Sequence, residues 1–114
     1  MNMKIVDWRE ESIVETPHRV DVRRLYDRES AQVMHITLNP GETLKPHITP
    51  VDVFFYILEG WVDVRVGDET ITVSSDRLVE SPKDIVHCLS NNSTSVGRIL
   101  VVKAPKPVTS TRVL

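Results

Sequence analysis

Four histidines, one cysteine and scattered carboxylates are the side chains able to do chemistry in this chain of 114 residues. An imidazole titrates near neutrality, so each of His18, His35, His47 and His87 could carry a proton or bind a metal through a neutral ring nitrogen. Their positions separate them. His47 and Thr49 stand two apart in an extended stretch, and the two-residue period of a strand turns both side chains the same way. Phe55 shares a side with Val53 and Ile57, so it is expected to line the same interior. His87 is followed by Cys88, which the same alternation sends to the opposite face as a small packed thiol rather than a nucleophile. His35 lies between Met34 and Ile36, opposite the apolar face, and His18 sits in Thr16-Pro17-His18-Arg19, a surface turn. Neither of these two is expected to have a role.

The elements that must position these groups read as strands. Alanine occurs only at Ala31 and Ala104 while valine, isoleucine and threonine abound, a mix suited to pleated, half-buried surface. Trp61 to Val66 alternates strictly, with Val62, Val64 and Val66 on one face. Period-two patterns recur at Val20 and Val22, at Met34, Ile36 and Leu38, and at Ile71 and Val73; Ile99 to Val102 reads as a fully buried run. Turn chemistry separates them at Asn39-Pro40-Gly41, Glu59-Gly60, Gly67-Asp68, Ser81-Pro82-Lys83-Asp84 and Asn91-Asn92-Ser93. Asp21 to Ser30 is charged on every face and fits a turn or a strand. Short strands with this spacing predict an all-β sandwich or barrel. The single domain divides into a barrel core over about residues 30–105, an N-terminal arm over 1–30 and a C-terminal tail over 105–114. Both ends fit edge strands or arms that complete the barrel or reach a partner subunit.

Two segments carry a more specific signal. Gly41 to Thr49 followed by Val53 to Gly60, and Pro82 to His87 followed by Cys88, Leu89, Ser90 and Asn91, resemble the two motifs of the cupin superfamily. The first motif is a glycine, five residues, His-x-His, a glutamate and a later glycine; Gly41, His47 and Gly60 match it. Thr49 occupies the second histidine position and Val53 the glutamate position. In the second motif Pro82, His87 and Asn91 match, whereas Asp76 and Asp84 stand where the pattern has glycines. The resemblance implies a small single-domain cupin, a jelly-roll or double-stranded β-helix barrel, with a degenerate metal motif. It also implies that His47 and His87 converge inside the barrel on the place where family members hold a divalent transition metal. Two imidazoles are fewer than the three protein ligands of a catalytic zinc site. A third ligand would have to be Asp52, turned inward by a bulge at Pro50, or Glu80.

Composition narrows the partners. With 14 basic and 16 acidic residues, the net charge is −2, and no basic run exceeds Arg23-Arg24, which offers nucleic acid or anionic lipid no stripe to bind. The longest apolar run, Val53 to Leu58, is too short to span a bilayer. A lone cysteine requires no oxidising compartment, and MNMKIVDWREE shows no apolar leader, so a cytoplasmic location is expected. The leading expectation is a small-molecule-binding barrel. Its apolar pocket comprises Met34, Ile36, Leu38, Leu44, Val53, Phe55, Ile57, Leu100 and Val102, and its polar pole His47, Thr49 and His87. The alternatives are an enzyme with a weakly held divalent metal on His47 and His87, and a metal-free acid–base enzyme. A homodimer is expected from the exposed sheet edges.

Overall fold

A computed structural model describes residues 2–109 and 111–114. Among the described residues, ten strands form two five-stranded antiparallel sheets facing each other. The strands are β1 (Asp21–Arg28), β2 (Ala31–Leu38), β3 (Thr43–Ile48), β4 (Val53–Glu59), β5 (Trp61–Val66), β6 (Glu69–Ser74), β7 (Leu78–Ser81), β8 (Val86–Ser90), β9 (Gly97–Lys103) and β10 (Arg112–Val113). The first sheet runs β1-β2-β9-β4-β7 and the second β10-β3-β8-β5-β6. This is the jelly-roll arrangement, and among the described residues the sole helical element is a 3₁₀ turn at Trp8–Glu10. The segment charged on every face is β1, an edge strand paired with β2 from Asp21 to Arg28 with one register shift, between Arg24 and Tyr26.

Alternation does the sorting. Val62 and Val64 of β5 and Val53, Phe55 and Ile57 of β4 enter the core between the sheets, as do Met34, Ile36 and Leu38. Burial of these side chains is the main favourable term holding the sheets together, at roughly 1.5–3 kcal/mol for each that is fully enclosed. The run Ile99 to Val102 departs from its expectation. Ile99 and Val101 are buried, while Leu100 and Val102 face away from the core and are only half covered. A period-two backbone cannot bury four consecutive residues on one side.

Two turns show why particular residue types stand where they do. Gly60 has φ +82°, and a Cβ there would come within 2.3 Å of the Val96 carbonyl oxygen, so a side chain is excluded. Asp76 and Asp84 have φ of 65° and 63°. Aspartate is among the few residues that tolerate this left-handed region, so at both positions it takes the conformation otherwise left to glycine. The Asp84 amide then donates to the Thr49 carbonyl oxygen at 3.0 Å, tying the β7–β8 turn to the end of β3.

Candidate functional site

Pro46 sets up the site. Proline has no N–H to give a sheet ladder, and the β3–β8 register shifts between Leu44 and His47, leaving Lys45 and Pro46 without ladder partners on β8. The resulting bulge lets Leu44 and His47, three residues apart, both point inward and become buried. It also frees the backbone of Lys45 for side chains. The Lys45 N–H donates to His18 Nδ1 at 2.9 Å, and the Lys45 carbonyl oxygen accepts from His47 Nδ1 at 2.6 Å.

These bonds fix the tautomers of neutral rings. A carbonyl only accepts, so His47 carries its proton on Nδ1 and presents a lone pair at Nε2. His87 Nε2 lies 2.9 Å away and is the donor of that bond. His87 Nδ1 is therefore an acceptor, and the Ser81 hydroxyl donates to it at 2.7 Å. Thr49 Oγ1 stands 3.3 Å from His87 Nε2 and shares its proton more weakly. The rings of His47 and His87 meet edge-on with centroids 4.3 Å apart, and Phe55 packs edge-on against His87 at 5.2 Å. For His18, the same rule leaves Nε2–H as the ring's free donor.

Burial, above all, keeps these rings neutral. It lowers the pKa of His87 to about 3, helped by His47 and Lys103, and that of His18 to about 4, helped by His47, Lys45 and Lys103. His47 is lowered by burial, against the opposing pull of the Lys45 carbonyl. Burial also lowers the pKa of Lys103.

In front of His47 lies a cavity of about 200 Å³. Val22, Met34, Ile36, Leu44 and Val101 form its apolar wall, and Thr16, His18, His47 and Lys103 its polar one. Thr111 and Val113 close it from the C-terminal segment, where β10 pairs with β3 and Thr111 Oγ1 lies 3.4 Å from Thr49 Oγ1.

The expected residues are thus divided. Met34, Ile36, Leu44 and His47 line the cavity. Thr49 and His87, each about 1% exposed, stand behind His47 rather than on the cavity wall, and Val53, Phe55, Leu38 and Ile57 belong to the core. Leu100 and Val102 are directed to the outer face, so Val101 and Lys103 take the inward places expected of them. Asp52 remains exposed and uses its carboxylate to accept from the Lys83 N–H at 2.9 Å, so no inward turn at Pro50 occurs. Glu80 is exposed on β7 because Ser81, its neighbour of opposite parity, faces in. His18 does not sit on an open surface but packs against His47 at 5.0 Å.

Ser81, Lys103 and Val101 were missing from the sequence expectation. Pairing with Val53 would have found the first two: Ser81 and Lys103 are both ladder partners of that inward-facing residue.

The donor set tests whether a divalent metal fits. His47 and His87 offer two imidazoles, but the accompanying positions hold Thr49 and Val53. Among the described residues no group of three His, Cys, Asp or Glu side chains could hold an ion. Lys103, whose charge lowers the pKa of both imidazoles, repels a cation. These residues do not fit a resident divalent metal.

Comparison with known proteins places the chain. Residues 34–103 match the family model of the cupin domain. No curated protein matches the chain. Among solved structures it is similar to TT1209 of Thermus thermophilus, at 30% identity and a TM-score of 0.79, covering 92% of this chain and 100% of that one. It is also similar to the polyketide cyclase RemF of Streptomyces resistomycificus, at 21% identity over 99% of this chain and 86% of the other, with a TM-score of 0.83. An RmlC-like cupin with a double-stranded β-helix fold from Methanocaldococcus jannaschii shares 23% identity over 92% and 93% of the two chains, with a TM-score of 0.75.

Proposed function

From the premise that this chain belongs to the cupin family, we propose that it binds a small organic molecule in the cavity in front of His47. The observation that carries this reading is the cavity itself: a concave apolar wall meeting a short polar one, the usual make-up of a small-molecule site. An engineered apolar cavity of about 150 Å³ accommodates benzene, so about 200 Å³ suits a single-ring or short branched molecule. A thermal-shift screen of such molecules tests the reading. Binders should raise the melting temperature, since they act on the folded state, and Met34→Phe, which fills the cavity, should abolish the rise. If every rise survives Met34→Phe, the cavity is not the binding place.

A second reading, metal-free acid–base catalysis, is supported by the continuous hydrogen-bond chain from Ser81 through His87 to His47, a neutral imidazole pair of which His47 reaches the cavity wall. Metal-dependent catalysis draws no comparable support from the donor set. Homodimer formation is supported by exposed Trp61, Ile71 and Leu78, which lie at or near the β6 and β7 edges. Light scattering at tens of micromolar tests it, and a monomer would defeat it. No helix among the described residues is long and apolar enough to cross a membrane. The single free thiol, Cys88, supports a cytoplasmic location.

A further inference from the structure

The polar side of the cavity holds a positive charge, Lys103, beside imidazoles and the Thr16 and Thr111 hydroxyls, but no compensating anion. Lys103, the last residue of β9, pairs across the ladders with Gln32 and Val53. Ladder partners share a face, so Lys103 is directed inward with buried Val53 and lines the cavity beside His18 and His47. No Asp or Glu lines that cavity, and among the described residues no carboxylate forms a salt bridge with Lys103. Other lysines are treated differently. Lys106 is paired with Asp27 at 2.8 Å, and Lys45 and Lys83 are exposed to solvent. An ammonium set against Met34, Ile36 and Val101 loses water without gaining a counter-charge, an arrangement that favours a bound anion.

The neighbouring groups point the same way. His18 has its Nδ1 occupied by the Lys45 N–H, which leaves Nε2–H to donate. His47 has no acceptor left, because Nδ1–H serves the Lys45 carbonyl and Nε2 receives the proton of His87. A ligand that meets Lys103 and His18 must bring acceptors, while the Thr16 and Thr111 hydroxyls, which also line the cavity, can serve it as donors.

We infer that the cavity takes a small monocarboxylate with an apolar body of about one ring, its carboxylate held by the Lys103 ammonium and the His18 Nε2–H. This rests on the small-molecule reading above and adds to it the ligand's chemical class and the residue that selects it. One lysine matches one negative charge, and the apolar wall matches an organic body rather than an inorganic ion. Lys103 is then the specificity-determining residue of the site.

The test compares benzoate with benzamide, which keeps the shape and removes the charge, by calorimetry and by NMR shifts of Met34 and Leu44. The whole chain should bind benzoate at least about tenfold more tightly than benzamide, the scale of one charge-assisted contact. Lys103→Met should remove that preference, leave benzamide binding in place, and raise the melting temperature of the free protein because a desolvated charge has gone. Lys103→Arg, which retains the charge, should keep much of the preference and guards against a folding artefact in the methionine variant. Equal binding of benzoate and benzamide, or a preference that survives Lys103→Met, overturns this inference while the small-molecule reading stands. Binding of neither, with no shift at Met34 or Leu44, overturns both. Displacement of benzoate by inorganic phosphate at equal concentration also overturns it, since the site would then be one for inorganic oxyanions.

Discussion

Two buried histidine clusters occupy opposite sides of the first sheet, and both hold their imidazoles neutral. Between the sheets, His47 and His87 are bonded to each other, to Ser81 and to the Lys45 carbonyl, and His47 fronts a cavity. Outside the first sheet, His35 is only 1% exposed because Trp8 stacks on it, with ring centroids 4.1 Å apart and planes within 13°. Arg23 and Arg98 lie over the same indole at 5.3 and 5.6 Å, and Arg23 also donates to the carbonyl oxygens of Trp8, Arg9 and Glu11, strapping the N-terminal arm to β1. Arg98 donates to His35 Nε2 at 3.1 Å, while His35 Nδ1 has no partner. Burial and a lowered pKa are common to both clusters, so neither marks a site. What distinguishes the inner one is empty space beside it and a positive charge without a counter-ion.

Acid should act on both clusters, and this is the largest effect expected. Burial is the first cause that lowers His87 to about 3 and His18 and His35 to about 4, against 6.5 for a free imidazole. A group whose folded pKa lies below its unfolded value binds its proton first in the unfolded chain, so the stability it lends is whole above pH 6.5 and falls as pH drops toward 4 or 3. Each such histidine contributes up to about 1.4 kcal/mol per pH unit in that window. Urea midpoints measured from pH 7.5 down to 4.5 should decline, and the decline should be shallower in His35→Gln and in His87→Gln alike. Should only His35→Gln flatten the curve, the inner pair shares a proton at acid pH and the two clusters differ in charge as well as in surroundings.

Trp8→Ala separates the clusters more sharply. The indole covers His35 and carries two cation–π contacts, so its loss should cost about 2–3 kcal/mol in chemical denaturation. His35 should then regain solvent, and its NMR titration midpoint should rise toward 6.5. The cavity should not respond: Met34 and Leu44 shifts and ligand binding should stay as in the parent. A change at His87 in this variant would show that the two faces of the first sheet are coupled.

Strand parity explains what could be read ahead of the structure and what could not. Val62 and Val64 face inward as their alternation with Trp61, Asp63 and Arg65 requires, and Met34, Ile36 and Leu38 do the same on β2. Ile99 to Val102 is apolar throughout, so the pattern carried no phase; its neighbours Gly97 and Lys103, both on the inward parity, were the available signal and yielded the cavity's one lysine. On β3 the phase itself breaks at Pro46, which is why counting from Leu44 would have turned His47 outward and why the motif located it better than alternation did. His18 belongs to neither kind of pattern. Its place follows from a backbone N–H freed 27 residues later, at Lys45, by that same bulge. His35 was assigned the correct face, but its cover comes from Trp8, which short-range periodicity cannot place.

The smallest expected effect bears on the order of donors within the inner cluster. The Lys45 carbonyl forces the His47 proton onto Nδ1, the His47 lone pair at Nε2 then takes the proton of His87 Nε2, and the bare Nδ1 of His87 in turn requires the Ser81 hydroxyl. Every step is directional, and the chain ends on a side chain that can be shortened without touching either ring. Ser81→Ala leaves a buried nitrogen without its donor, which should cost about 1–2 kcal/mol. Nitrogen-15 NMR of the parent should find His87 protonated at Nε2 and His47 at Nδ1, the two neutral tautomers in opposite senses. If His87 carries its proton at Nδ1 instead, Ser81 is the acceptor, both Nε2 atoms present lone pairs 2.9 Å apart, and a shared cation between them would be needed to hold the pair. The same substitution should leave His35 unmoved, because its Nε2 is already committed to Arg98 and no hydroxyl sits at its other nitrogen.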